Sequence, residues 1–356
     1  MGDRLLVNFF YAQQLGHAIE ALHYCLGYHA ADCSREISVA LNAATPVELA
    51  GYCPFLAGAY AIEHPFLEPG SDPGALAEVP REWDWVLDDG RRRQDYQREL
   101  FPGMAGYYEA SDGHLTAARR RGVAGYGEPS YLPHQPLRLE LPVAADRDCS
   151  IALMPAGSSP AALYPSVASW RLVMDALTEA LPGARIALIG RLARDKRSST
   201  SLEPGELTEL LAHHSRPVDC FDAPLAEQLA VVEACDVFVA PHTGFGLAAL
   251  AVGTPWLTIS GGSWFEYFFN HVPFRSILPD PERYPSQAAD GERLPSMSEQ
   301  RIRDDLDRIV AAAGELSSGA LDYERALREY FADLVAARGG DASGIWSIDD
   351  VHLDYV

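Results

Sequence analysis

Residues 235–262 read CDVFVAPHTGFGLAALAVGTPWLTISGG, and this stretch decides the fold class. Residues 236–240 form a short apolar run with β-branched members, the signature of a buried parallel strand. Pro241, His242, Thr243, Gly244 and Gly246 then turn the chain. Residues 245–252 supply a small apolar helix, stopped by Gly253 and Pro255, and 256–259 is the next strand. A glycine loop that feeds a helix N-terminus presents backbone N–H groups at the positive end of the helix dipole, a geometry that binds phosphate. A Gly-x-Gly by itself also occurs in βα turns that bind nothing. Here the loop adds a His and a Thr, and it lies at the carboxyl end of a strand, where open α/β sheets bind ligands.

Upstream the same alternation continues. Residues 151–154, 185–189 and 218–221 read as strands, and 167–180, 206–213 and 225–234 as helices. This spacing predicts a parallel sheet covered on both faces. In the first 140 residues, strands are expected at 4–10 (RLLVNFF), 36–41 and 83–87, with an amphipathic helix at 18–26. Residues 65–80 are rich in Pro and Gly and read as loop. Residues 101–135 hold many Gly, Tyr and Pro and suggest an irregular, ligand-facing segment. Residues 137–143 read as a strand end and 144–148 as a linker. Past 262, a Pro-rich stretch at 273–295 suggests a crossing between domains, followed by charged helices at 299–313 and 321–337. The expected organisation is therefore α/β, with two Rossmann-like parallel-sheet domains, 1–145 and 149–295, facing a central cleft. The helices of 296–356 follow, at least one packing back on the first domain.

Composition narrows the function. With 356 residues, 48% hydrophobic and 22% charged, the chain is an ordinary globular protein. Its net charge of -22 argues against a nucleic-acid partner, which needs a basic surface. The arginine clusters at 91–93 and 119–121 then read as solvated faces. No apolar run approaches the ~20 residues of a membrane span, and no signal-peptide pattern opens the chain. Cys25, Cys33, Cys53, Cys149, Cys220 and Cys235 lack C-x-x-C spacing and read as reduced thiols. A cytoplasmic protein without a metal or other cofactor is expected.

Three segments carry a resemblance. The first is PAGSS (155–159), followed by Tyr164-Pro165 and Trp170 before a long helix. The second is RIALIGR (185–191), a strand ending in Gly190-Arg191. The third is PLAEQLAVVEACDVFVAPHTGFGLAALAVGTPW (224–256). Together, over roughly 149–262, they resemble the family 9, heptosyltransferase-like glycosyltransferases of the GT-B fold. The sequence departs from that family where Asp-Ser/Thr-Gly is His242-Thr243-Gly244, where a lysine falls near Leu163, and where a histidine falls near Leu247. These departures point to a nucleotide sugar other than ADP-heptose.

The resemblance implies an inverting, metal-independent glycosyltransferase that moves a hexosyl or heptosyl group from a nucleotide-diphosphate sugar to a small-molecule or glycan acceptor. Such a reaction stabilises a departing diphosphate and deprotonates the acceptor hydroxyl. Donor-binding candidates are Gly157, Ser158, Ser159, Gly190, Arg191, Asp222, His242, Thr243, Gly244, Phe245 and Gly246. Arg191 could grip phosphate bidentately or be a surface arginine. Asp222 could meet the ribose or cap the helix at Leu225. His17 is the candidate base, beside acceptor candidates Gln13 and Gln14, or it is a packed helix-start histidine. Asp32 and Glu36 are more distant candidates for the base. His213 and His214 read as complements to a helix dipole. Zinc spacing is absent, and the dispersed Glu and Asp residues disfavour metal-dependent GT-A chemistry.

Three other functions remain open. A non-hydrolysing sugar-nucleotide epimerase shares the GT-B layout. A non-catalytic sugar-nucleotide-binding protein would explain the departures. Gly244–Ala249 also satisfies the G-x-G-x-x-A of a nicotinamide oxidoreductase. That motif, however, falls late in its domain, and the next strand ends in Ser260-Gly261-Gly262 rather than an acid.

Overall fold

The computed structural model describes residues 2–10, 12–64, 73–87, 106, 109, 120, 129–145, 149–194, 197, 199–289 and 291–345. The arginine cluster at 91–93, most of the segment 101–128, and residues 146–148 of the expected linker lie outside this set. The chain divides into two compact units, Met1–Glu140 with Trp346–Val356, and Leu141–Ile345.

The first unit holds a four-stranded parallel sheet in the order β3-β2-β1-β4, from β1 (Arg4–Phe9), β2 (Glu36–Asn42), β3 (Leu56–Ile62) and β4 (Trp85–Leu87). Helix α1 (Leu15–Ala31) joins β1 to β2. It runs longer than the expected 18–26 because its far end is also apolar. There Gly27 leaves room for the Tyr131 ring, which an added Cβ would meet at 2.1 Å. One apolar cluster gathers Leu6, Phe10, Ala40, Ile62, Val79, Trp83 and Val86. Residues 137–143 form no strand. They run as irregular chain with Leu137 and Leu139 buried, and the Glu140 N–H donates to the Tyr52 carbonyl.

In the second unit a six-stranded parallel sheet has the order β10-β9-β8-β5-β6-β7. Its strands are β5 (Ile151–Leu153), β6 (Ile186–Leu188), β7 (Val218–Asp219), β8 (Val237–Pro241), β9 (Trp256–Ile259) and β10 (Phe274–Ile277). Four helices connect them: α2 (Val167–Ala180), α3 (Pro204–Leu211), α4 (Leu225–Ala234) and α5 (Gly244–Ala251). The residues of β5, β6, β8 and β9 are all buried. This explains the unbroken apolar runs that marked these strands in the sequence.

Two helices close the described chain, α6 (Glu299–Ser317) and α7 (Tyr323–Ala337). Ser298 and Asp322 cap them, accepting hydrogen bonds from the N–H groups of Arg301 and Arg325. Helix α6 packs on α2, β9 and β10, and α7 on β10; burial holds them there. Ile302, Ile309, Ala313 and Leu316 form one apolar stripe of α6, and Arg301 is fully buried. Its guanidinium donates to Asp305 at 2.7 Å and to the carbonyls of Ile277 and Ser296.

Gly246 stands where the sequence suggested a phosphate contact, yet an added Cβ there would meet the Trp256 ring at 2.2 Å. Trp256 is 1% exposed and cannot move aside. Overpacking of this kind costs about 1–3 kcal/mol, more than the roughly 0.5–1 kcal/mol that alanine gains over glycine in a helix. Gly246→Ala should therefore lower the urea midpoint with an unchanged slope. Gly205→Ala in α3, which meets open space, should not lower it.

Candidate functional site

The second sheet reverses its direction of growth at β5. The chain runs from β5 through β6 to β7 on one side, then returns to β8 and builds β9 and β10 on the other. The loops leaving β5 and β8 therefore diverge, and the crevice between them at the carboxyl edge is where open α/β sheets bind ligands. These two loops are 155–159 and 242–244, both singled out in the sequence. They touch: a Cβ added to Gly157 would lie 3.5 Å from the Thr243 Cβ and 2.8 Å from the Tyr164 hydroxyl.

Each loop is tied down by its own contacts. Buried Trp170 of α2 donates its indole N–H to the Pro155 carbonyl at 2.9 Å. The Ser159 N–H donates to the Tyr164 hydroxyl at 3.1 Å. Residues 200–201 cross over two loops: the Thr200 hydroxyl donates to Ala156, the Ser201 N–H to Gly157, and the Thr200 N–H to Arg191. Ser158 and Ser159 are exposed, and Arg191 is half-buried.

Thr243 is the N-cap of α5. Its Oγ1 accepts from the Phe245 N–H at 3.0 Å, and its carbonyl accepts from the Gly246 N–H at 3.0 Å. Its hydroxyl points to the Met154 sulfur at 3.9 Å. Capping removes two of the N–H groups that the sequence offered to phosphate. Among the described residues the Gly244 N–H stays uncommitted at this helix start. Phe245 is buried, with its ring 5.6 Å from that of Phe238.

His242, one residue earlier, keeps its side chain 25% exposed, and its Nδ1 lies 3.3 Å from Oε1 of Glu266. Glu266, on the loop after β9, is 3% exposed at the side chain. Its Oε2 has no hydrogen-bond partner among the described residues. Tyr330 of α7 holds its backbone, the hydroxyl accepting from the Glu266 N–H at 2.8 Å. A buried carboxylate behind a partly exposed imidazole fixes the orientation of the ring. Two residues before Glu266, Trp264 is 66% exposed and helps line a cavity of about 120 Å³ with Gly262, Pro279 and Tyr284. The sequence reading missed Glu266. The available signal was a single acid inside the aromatic run Trp264–Phe269.

Gly190 and Asp222 are held by contacts within the second unit. A Cβ on Gly190 would meet the Phe221 ring at 2.4 Å. Gln228 of α4 clamps its backbone, accepting from the N–H and donating to the carbonyl, both at 3.2 Å. Asp222 sits at a left-handed φ of 57°. Its Oδ1 accepts from the N–H groups of Leu192 and Ala193 at 2.8 and 3.0 Å. It does not cap α4, whose N-cap is Pro224. Asp222 therefore folds the loop after β6.

In the first unit, Gln13, Gln14 and His17 gather where β1 passes into α1. Gln13 donates to the His64 carbonyl at 3.1 Å, and Gln14 occupies the N-cap position. Half-buried His17 lies in the first helical turn. Buried Asn42, also missed by the sequence reading, braces this loop by donating to the carbonyls of Phe10 and His64, both at 2.7 Å. Asp32 and Glu36 lie at the opposite end, since a 17-residue helix spans about 25 Å. Asp32 accepts from the Ser34 hydroxyl and N–H, which lower its pKa. Glu36 pairs with Arg4 at 3.5 Å. Neither shares the His17 end.

His213 and His214, read from the sequence as complements to a helix dipole, both meet Asp175 of α2. Burial, outweighing the attraction of Asp175, pushes the His213 imidazole below its ordinary pKa.

No family model and no curated protein matches the chain by sequence. Solved structures match by shape. A family 9 glycosyl transferase from Veillonella parvula aligns over 87% of this chain and 97% of its own, at TM-score 0.57 and 12% identity. The chain has the GT-B fold. E. coli heptosyltransferase WaaC, solved with ADP-2-deoxy-2-fluoro heptose, aligns over 86% of this chain and 99% of its own, at TM-score 0.56 and 12% identity. E. coli ADP-heptose lps heptosyltransferase II aligns over 87% and 98%, at 0.55 and 15%. Two parallel-sheet units of four and six strands meet the GT-B expectation. Among the described residues no helix is long and apolar enough to cross a membrane.

Tyr330→Phe tests how Glu266 is held. The variant leaves the Glu266 N–H buried without its acceptor, a loss of about 1–3 kcal/mol. Urea unfolding should show that loss.

Proposed function

We propose that this protein is a glycosyltransferase that moves a hexosyl or heptosyl group from a nucleotide-diphosphate sugar to an acceptor hydroxyl, with inversion and without a catalytic metal. The observation that carries this reading is the convergence at the β5/β8 crevice of the uncommitted Gly244 N–H, the His242–Glu266 pair and the Gly157 loop, in a GT-B chain. The diphosphate lies against the start of α5. The Gly244 N–H donates to it, and the His242 imidazole faces the oxygen on which charge develops. Arg191, Ser158 and Ser159, all at the same edge, add donors. Preoriented donors of this kind stabilise a leaving group.

The acceptor is assigned to the first unit, at Gln13 and Gln14. The acceptor oxygen attacks the anomeric carbon from the face opposite the diphosphate. The bond from that carbon to the diphosphate oxygen breaks, and its electron pair leaves with the diphosphate. His17 takes the acceptor proton. Free thiols, with Cys33 exposed, fit a reducing, cytoplasmic setting.

Calorimetry against ADP-, GDP-, UDP- and dTDP-sugars should identify one donor class that binds. With that donor, Gly244→Val places a branched side chain where phosphate approaches backbone and should weaken binding in a protein that still folds. Unchanged affinity places the phosphate elsewhere.

The proton-transfer role is tested separately. His17→Ala should leave donor affinity near normal and lower turnover by roughly 10²–10⁴. Turnover close to wild type would make His17 a packing residue. Donor binding without turnover in wild type, across an acceptor panel, would favour a non-catalytic binding protein.

A further inference from the structure

Away from the β5/β8 crevice, α2 and the turn after α3 bring together three side chains that the donor site does not use. Asp175 Oδ1 lies 2.9 Å from His213 Nε2 and 3.4 Å from His214 Nδ1. One ligand atom from each of the three residues lies within 4.8 Å of the others. Zinc bonds of about 2.0–2.1 Å in tetrahedral geometry hold ligand atoms roughly 3.3 Å apart. The observed spacings bracket that value, so modest rotations of two exposed side chains would close the site.

His213 is already fixed. Its side chain is 2% exposed, and its Nδ1 lies 2.8 Å from the Ser215 hydroxyl. Metal-binding imidazoles are oriented by such a hydrogen bond at the other ring nitrogen. The longer contact from the Ser215 N–H, 3.3 Å to the same Nδ1, suits a ring protonated at Nε2 and donating to Asp175. A serine hydroxyl serves either tautomer. Moving the proton to Nδ1 turns that hydroxyl into an acceptor and frees the Nε2 lone pair. The ring stays neutral throughout.

Asp175 and His214 are exposed, at 50% and 72% of their side chains, so an ion can enter and water can complete its coordination. The nearby cation is Arg171, which pairs with Glu209 at 3.1 Å. The cluster sits beside the turn that leads into β7, at the amino edge of the sheet and opposite the donor site.

We propose that Asp175, His213 and His214 bind a first-row divalent cation, Zn²⁺ by ligand type, and that the ion clamps α2 to the turn between α3 and β7. Two imidazoles, a carboxylate and water suit zinc and exclude the all-oxygen preference of Mg²⁺ or Ca²⁺.

The test is calorimetric titration of metal-stripped full-length protein with ZnCl2. One saturable site per chain is expected, with a rise in melting temperature that MgCl2 does not reproduce. His214→Ala and Asp175→Asn change exposed positions and leave every cysteine in place. Each should weaken zinc binding about tenfold or more while circular dichroism stays native. Absence of saturable binding in wild type overturns the proposal. So does unchanged affinity in both variants, which would put the zinc on thiols or elsewhere.

Discussion

The position of β5 between β6 and β8 is the constraint on which the candidate site depends. Parallel strands buried on both faces must be joined by crossovers that leave from the same edge. A chain that grows the sheet first to one side and then to the other opens a crevice at the point of reversal. Residues 155–159 and 242–244 are neighbours for this reason alone, although more than eighty positions separate them. Trp170, Tyr164 and residues 200–201 then fix the first loop, and the Thr243 cap fixes the second.

Glycine has more than one meaning at this edge. Gly157, Gly190 and Gly246 each make room for an aromatic side chain, from Tyr164, Phe221 and Trp256 respectively. Gly157 and Gly190 lie just past buried strands and Gly246 in the first turn of α5, where bulky rings from adjacent elements close the layer. Gly244 differs, because its N–H precedes the first capped position of α5. A glycine-rich βα turn thus combines one group available to a ligand with several that serve only the core.

The His-Thr-Gly sequence takes on a physical sense once Glu266 is placed. The carboxylate that the resembled family carries at the strand end is absent here. A carboxylate is nonetheless present one layer back, on the loop after β9, with the His242 ring in front of it. Its burial among aromatic residues keeps it from solvent, and Tyr330 holds its backbone from a third element. Here α7 braces the candidate site from behind, and its packing on β10 is what delivers Tyr330. Both C-terminal helices thus pack within the second unit.

The sequence by itself determined the α/β class and the alternation of strands and helices in the second unit. These follow from signals only a few residues long: apolar runs of strand or helix length and glycine or proline stops. It also singled out the loops 155–159 and 242–244, which the structure brings side by side. Tertiary structure alone decided how the groups in those loops are used. It gave the Thr243 hydroxyl to the helix cap, turned Asp222 into a loop staple and moved Asp32 and Glu36 away from His17. It paired His242 with Glu266 across 24 residues, His213 with Asp175 across 38, and Glu266 with Tyr330 across 64. A side chain's partner depends on which elements pack together, and that packing is set by burial over the whole unit, which no local pattern encodes.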